Sequence, residues 1–109
     1  MTIPAEGIAD WDSFHTVFAE TLGFPAFYGR NMDAWTDCLV SADDAASGMV
    51  GIAVEPGELL ILRIDGAEDF ARRCPEQYQA LFECAAFVNF SRRERGEAPV
   101  LALLLSGYF

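Results

Sequence analysis

Three observations predict an α/β fold with a parallel pair of strands. Two apolar runs, Leu59–Ile64 and Val100–Leu105, have the length and the Leu/Ile/Val content of strands. The residues between them, about 35, read largely as helix, and a crossover of that length is what parallel strands need. Ahead of both lie two stretches whose apolar residues repeat at three- and four-residue spacing, the period of core-facing helices. The expectation is a small three-stranded parallel sheet packed by about four helices, with residues 1–109 forming one domain.

Each element has a local cause. Pro4 and Gly7 limit the first ten residues to a brief strand around Thr2–Ile3. Asp10 caps a helix in which Trp11, Phe14, Phe18 and Leu22 share a face, and Gly23 ends it. Phe24-Pro25 breaks the pattern and leads into an aromatic loop, Phe27-Tyr28-Gly29. Asn31 is the next N-cap, with Gly29 permitting the turn before it, and a helix over 32–43 follows. Met32, Trp35, Leu39 and Ala42 form its buried stripe, while Asp33, Thr36, Asp37 and Asp44 fall toward water.

Beyond a small, acidic loop from Ser41 to Gly48 the period changes. Val50, Ile52 and Val54 alternate, Glu55-Pro56-Gly57-Glu58 marks a turn, and Leu59–Ile64 reads as a strand buried on both faces. Asp65 is positioned to cap a short helix in capping-box style with Glu68. Pro75 suits the first turn of a longer helix whose apolar stripe is Tyr78, Leu81, Phe82, Ala85 and Val88. Arg92, Arg93 and Arg95 complement its negative end, and Gly96 terminates it.

Composition narrows the function. Hydrophobic residues make up 52% of the chain, which excludes disorder. The net charge of -10 is unevenly placed, since residues 1–60 hold ten acidic side chains against Arg30 alone. Such a surface repels nucleic acid and anionic lipid and attracts a basic partner. Neither the N-terminus nor the longest apolar run, Pro99–Leu105, resembles an export signal or a membrane span, so a soluble cytoplasmic protein is expected. Three widely spaced cysteines then read as reduced thiols.

Catalytic chemistry is poorly supported. The single histidine, His15, sits within an amphipathic helix, and Cys38, Cys74 and Cys84 lack the paired spacing of zinc ligands. Gly48 and Gly51 lack the context of a phosphate loop, and the chain has no lysine. No enzyme activity, metal or cofactor is expected. Asp33 and Asp37, one turn apart on an outer helix face, repel each other by roughly 0.2–0.5 kcal/mol with no nearby base, an arrangement better explained by recognition than by stability.

The stretch Phe27–Leu39 resembles the barstar family of intracellular ribonuclease inhibitors, through Tyr28, Gly29, Asn31, Asp33, Ala34, Asp37, Cys38 and Leu39. The resemblance implies a small parallel sheet packed by helices and a binding face made of this helix and the loop before it. In that family the helix plugs the active site of a basic nuclease, its carboxylates standing where RNA phosphates would lie. Carried over, the partner-binding residues are Phe27, Tyr28, Gly29, Asn31, Asp33, Thr36, Asp37, Ser41 and Asp44, with Asp33 and Asp37 as electrostatic anchors.

The chain also departs from the family pattern. Phe27 replaces a tyrosine, Thr36 and Ala42 replace tryptophans, and Arg30 replaces an acidic residue. The family's glutamate on the last helix maps near Ser91–Arg93, which is not acidic, and Ser47–Glu58 is longer. Cys74–Tyr78 through Ala86–Asn89 resembles a divergent branch.

The function expected is an inhibitor or immunity protein of the toxin–antitoxin kind, binding a basic ribonuclease or toxin nuclease one to one. A rival reading is a non-inhibitory interaction module that uses Trp11, Phe87, Phe90 and Tyr108-Phe109 on the same scaffold. A third, a small enzyme using His15 with Cys38 or Asp37, requires those side chains to share one pocket.

Overall fold

Local capping sets the first helix. In the computed structural model, which describes residues 1–108, the Asp10 carboxylate accepts from the Ser13 N–H at 2.9 Å, and Ser13 Oγ accepts from the Asp10 N–H at 3.0 Å. This reciprocal pair opens α1, Trp11–Leu22, which buries Phe14, His15, Phe18 and Leu22. Gly23 closes it in the left-handed region at φ 67°. A side chain there would also meet the backbone of Gly51, whose N–H donates to Leu22 O at 2.9 Å.

The second helix, α2, runs Met32–Val40, with Asn31 Oδ1 accepting from the Ala34 N–H at 2.8 Å. It ends three residues before the expected 43. Arg92 draws the Asp43 carboxylate inward, and Asp44 turns to cap a short 3-10 segment, Ala45–Ser47. Trp35, Leu39 and Ala42 are buried as expected, but Thr36 is buried too, because α4 packs along that flank.

Two strands form the sheet: β1, Leu60–Ile64, and β2, Leu101–Leu105, are parallel, with Leu60 opposite Leu101. The expected third strand shrinks to a single bridge between Thr2 and Arg63. Pro4, which has no N–H, follows at once, and the chain turns into the 3-10 segment Ala5–Gly7. Val50, Ile52 and Val54 are half-buried while Gly51 and Ala53 between them are exposed, but they join no ladder. Nor is β1 buried on both faces. Its inner residues Leu60, Leu62 and Ile64 meet the core, whereas Ile61 is 46% and Leu104 54% exposed, because the core lies on one side of the sheet only.

The connection between the strands is helical, through α3, Ala67–Arg73, and α4, Pro75–Glu94. Asp65 does not cap α3. Its carboxylate accepts from Arg63 Nε at 2.9 Å and Ser106 Oγ at 2.7 Å, tying the ends of the two strands, while left-handed Gly66 occupies the N-cap. The buried stripe of α4 is Gln77, Leu81, Ala85, Val88 and Arg92, and Phe82 lies at its exposed border. The polar groups at either end of that stripe escaped a reading based on hydrophobic period.

Cys38 and Cys74 are buried, Cys84 is half-buried, and all three are free. No helix among the described residues is long and apolar enough to cross a membrane. Tyr108 is exposed, and its neighbour Phe109 lies outside the described residues.

Candidate functional site

α2 forms a ridge with a depression on each side. Asp33 and Asp37 are exposed along it, one helical turn apart. On one side a cavity of about 270 Å³ lies between α2 and the aromatic loop, lined by Phe27, Tyr28, Gly29, Ala34, Asp37, Cys38 and Met49. On the other a groove of about 620 Å³ separates α2 from α4, lined by Asp33, Thr36, Asp37, Glu83, Cys84 and Phe87. Asp37 borders both.

The carboxylates of this ridge are free of internal counter-ions. Among the described residues the ion pairs are Arg30–Asp12, Arg63–Asp65, Arg72–Asp69, Arg73–Asp69, Arg92–Asp43, Arg92–Glu97 and Arg95–Glu97. Six of the seven arginines are thereby committed, and none of them neutralises Asp33, Asp37 or Glu83. Among the described residues Glu83 accepts only from Gln79 Nε2, at 2.9 Å.

The loop beside the ridge is fastened to α1 at two points. Tyr28 Oη and His15 Nδ1 are 2.6 Å apart. Burial raises the pKa of the Tyr28 phenol well above its ordinary value, and burial together with the Arg30 cation lowers that of His15. Both shifts favour one arrangement, a protonated phenol donating to a neutral imidazole. Arg30 is the second fastening: its Nη2 donates to Asp12 O at 2.8 Å, Asp12 Oδ1 at 2.7 Å and Thr16 Oγ1 at 2.9 Å. Arg30, not Gly29, is the left-handed residue of this turn, with φ 55°. These bonds hold a conformation that a non-glycine residue adopts at some cost.

With the loop so held, Phe27 projects outward, 76% exposed, and lines the same cavity as Asp37. Tyr28 is turned inward onto Phe24, ring centroids 4.7 Å apart. The residues expected at the site therefore divide. Phe27, Tyr28, Gly29 and Asp37 line the cavity on the loop side, and Asp33 and Thr36 line the groove opposite, which Asp37 also borders. Asn31 is occupied as a helix cap. Ser41 and Asp44 do not join them: the Ser41 carbonyl accepts from the Asp44 N–H at 3.0 Å, and Asp44 lines a separate cleft with Val54 and Pro56.

Glu83 and Phe87 of α4 reach the site without having been expected there. Their signal was an exposed phenylalanine one turn after a glutamate on a helix with other work for its apolar stripe.

His15 does not line the cavity shared by Asp37 and Cys38, and burial pushes the Cys38 thiol up to about 11. A buried thiol with so little thiolate is a poor nucleophile. His15 Nδ1 is instead engaged by the Tyr28 hydroxyl. Among the described residues no three His, Cys, Asp or Glu side chains gather closely enough to ligate a metal ion.

No curated protein matches the chain. The family model described as Barstar (barnase inhibitor) matches residues 1–103, which include every helix and most of the sheet. The chain belongs to the barstar family.

Proposed function

We propose that this protein is an inhibitor or immunity protein that blocks the active site of a basic ribonuclease or toxin nuclease, one to one, through α2 and the loop before it. The observation that carries this reading is the exposed Asp33/Asp37 pair, left unpaired among the described residues while six of the seven arginines serve other carboxylates. A nuclease cleft built for phosphates presents arginine, lysine and histidine groups. Two carboxylates on a rigid helix can meet those cations where phosphates would sit, without the chain ordering any further segment. Phe27 adds a preformed aromatic contact, and the fastened loop lowers the entropy lost on binding. The family is one of inhibitors rather than enzymes, and it supports a protein as the partner. The expected setting is the cytoplasm, where a nuclease would need restraint.

The rival reading, an aromatic interaction surface, is less well supported. Phe87 borders the acidic groove with Asp33, and Trp11 is half-buried with its Nε1 donating to Glu76 at 3.3 Å. Phe87 thus flanks the carboxylates, and Trp11 is engaged with the start of α4.

The test is capture of basic ribonucleases, barnase included, by the immobilised protein at low and high salt, beside the Asp33→Ala/Asp37→Ala variant. The wild type should bind in a salt-sensitive manner. The variant should lose binding while keeping its thermal transition, because both residues are exposed and serve no cap. The scale borrowed from barnase–barstar itself is about 2–5 kcal/mol or more for a buried charge whose partner is cut. Unchanged affinity in the double variant would overturn the role given to the pair.

A further inference from the structure

We propose that the free edge of β2 docks the same edge of a second copy of this chain, extending the sheet across a two-fold axis. β2 reaches β1 at its two ends, where Val100 O accepts from the Leu60 N–H at 2.7 Å and the Ser106 N–H donates to Ile64 O at 3.0 Å. Strand alternation between these points turns the backbone groups of Ala102 and Leu104 toward β1, and those of Leu101, Leu103 and Leu105 toward the opposite edge. Asn89 closes that edge at Leu101: its Nδ2 donates to Leu101 O at 3.0 Å, and its Oδ1 accepts from the Leu101 N–H at 3.1 Å. Among the described residues nothing pairs with the N–H or C=O groups of Leu103 and Leu105 on this edge. Through Gly107 the chain leaves on the other side, where Ser106 O accepts from the Ala67 N–H and Gly107 lies against Glu68 of α3. The outer edge of β1, in contrast, is covered by the N-terminal residues, with the Ile3 N–H donating to Arg63 O at 2.8 Å.

Side chains and charge select the occupant. The inward residues of β1 are buried, whereas Leu103 and Leu105 are only half-buried, so the core is open along the β2 edge. The strand Leu-Ala-Leu-Leu-Leu carries no charge and no proline, the devices that commonly keep an edge from pairing. Residues 86–108 hold three arginines against two glutamates, while residues 1–60 hold ten acidic side chains against one arginine. Two copies of so acidic a chain therefore meet with least repulsion at this end. A second copy also satisfies the edge without remainder. With the axis at Leu104, antiparallel pairing sets Leu103 opposite Leu105 of the second copy, and every free N–H and C=O of these residues is bonded. An axis at Leu103 would instead bring Leu105 against Leu101, whose groups Asn89 already holds. Asn89 thus fixes the register, and Leu104, 54% exposed, meets its own counterpart at the axis. A pairing of a few residues per copy is well below the roughly 20–30 per side of a standard interface, so the dissociation constant should be on the order of 0.1–1 mM. Neither depression beside α2 is lined by a residue of β2, so the dimer presents two free α2 ridges.

The test is sedimentation and backbone amide hydrogen exchange of the full chain from about 20 µM to about 1 mM. The average mass should rise with concentration, and exchange at the Leu103 and Leu105 amides should slow by about two- to fivefold. Leu104→Lys sets like charges against each other at the axis and should weaken association about tenfold or more, leaving the thermal transition of the dilute protein in place. Ile61→Lys, on the outer face of β1 and away from the edge, should leave association unchanged. Mild oxidation of the Leu104→Cys variant should link two copies through position 104, because directly opposed residues of a non-hydrogen-bonded pair lie about 4.5 Å apart at Cα, within reach of a disulfide. A chain monomeric at about 1 mM would overturn the proposal and leave the edge to a foreign strand. Association that survives Leu104→Lys would also overturn it, as would association lost in Ile61→Lys, which would mean that sheet faces stack instead.

Discussion

Arg92 and the Asp33/Asp37 pair show opposite uses of charge. The Arg92 side chain is 4% exposed, and its guanidinium donates to Asp43 Oδ1 at 3.0 Å, Asp43 Oδ2 at 2.8 Å, Val40 O at 2.7 Å and Ala98 O at 2.6 Å. One side chain thus satisfies the carbonyl end of α2, the turn after it and the turn before β2. Its removal strands a largely buried carboxylate and two carbonyls, so Arg92→Leu should destabilise the protein by about 3–5 kcal/mol in urea unfolding. The double variant Arg92→Leu/Asp43→Leu should recover part of that loss, because it no longer leaves an unpaired charge buried. A single variant as stable as the wild type would show that the network contributes nothing. In the sequence Arg92 is merely one of three cations near a helix end. Its burial is set by a carbonyl 52 residues away, and no local rule could reveal that.

The segment from Phe24 to Asn31 behaves as an element without regular structure, made rigid by α1. His15 carries one of its two fastenings, and that makes the segment pH-dependent. Burial and Arg30 lower the His15 pKa below its ordinary 6.5, against the opposing pull of Asp12, so the unfolded chain takes up the proton first on acidification. Stability is therefore complete above pH 6.5 and declines as pH falls below it, through the lowered native value. Protonation would also force Nδ1 to donate, reversing the bond from Tyr28. Unfolding free energies between pH 5 and 8 with a parallel NMR titration of the imidazole would check this. A rise in stability on acidification across that window would contradict it.

What the sequence revealed at this scale follows the range of the interaction. The caps Asp10 and Asn31, the stop at Gly23 and Pro75 at the start of α4 were legible, because each acts within one helical turn. The left-handed Arg30 and the exposed ring of Phe82 were not, and the brief strand expected around Thr2–Ile3 was legible in place but not in its reduction to one bridge. Each is decided by what packs opposite, such as the Asp12 and Thr16 oxygens that reward Arg30 for an unfavourable φ. The acidic ridge was visible as Asp33 and Asp37, but its second wall depends on how α4 lies along α2.

At the scale of the whole molecule the net charge of -10 acts on approach more than on the bound state. Charges beyond the contact surface steer a basic partner while it diffuses, and are screened once salt shortens the Debye length from about 30 Å at about 0.01 M to about 3 Å at about 1 M. On the proposed reading Asp33 and Asp37 would instead lose water on docking and govern how long the complex lasts. Glu55 and Glu58, exposed in the turn before β1 and outside both depressions beside α2, separate the two effects. Glu55→Gln/Glu58→Gln should slow association with a captured nuclease modestly at low salt and leave dissociation unchanged. For the wild type, association should fall about tenfold or more between low and high salt, while dissociation changes far less. Stopped-flow association and chase-based dissociation measurements would distinguish these cases. A dissociation rate that rises in the Glu55/Glu58 variant would mean the contact extends to that turn, well beyond the α2 ridge and its two flanks.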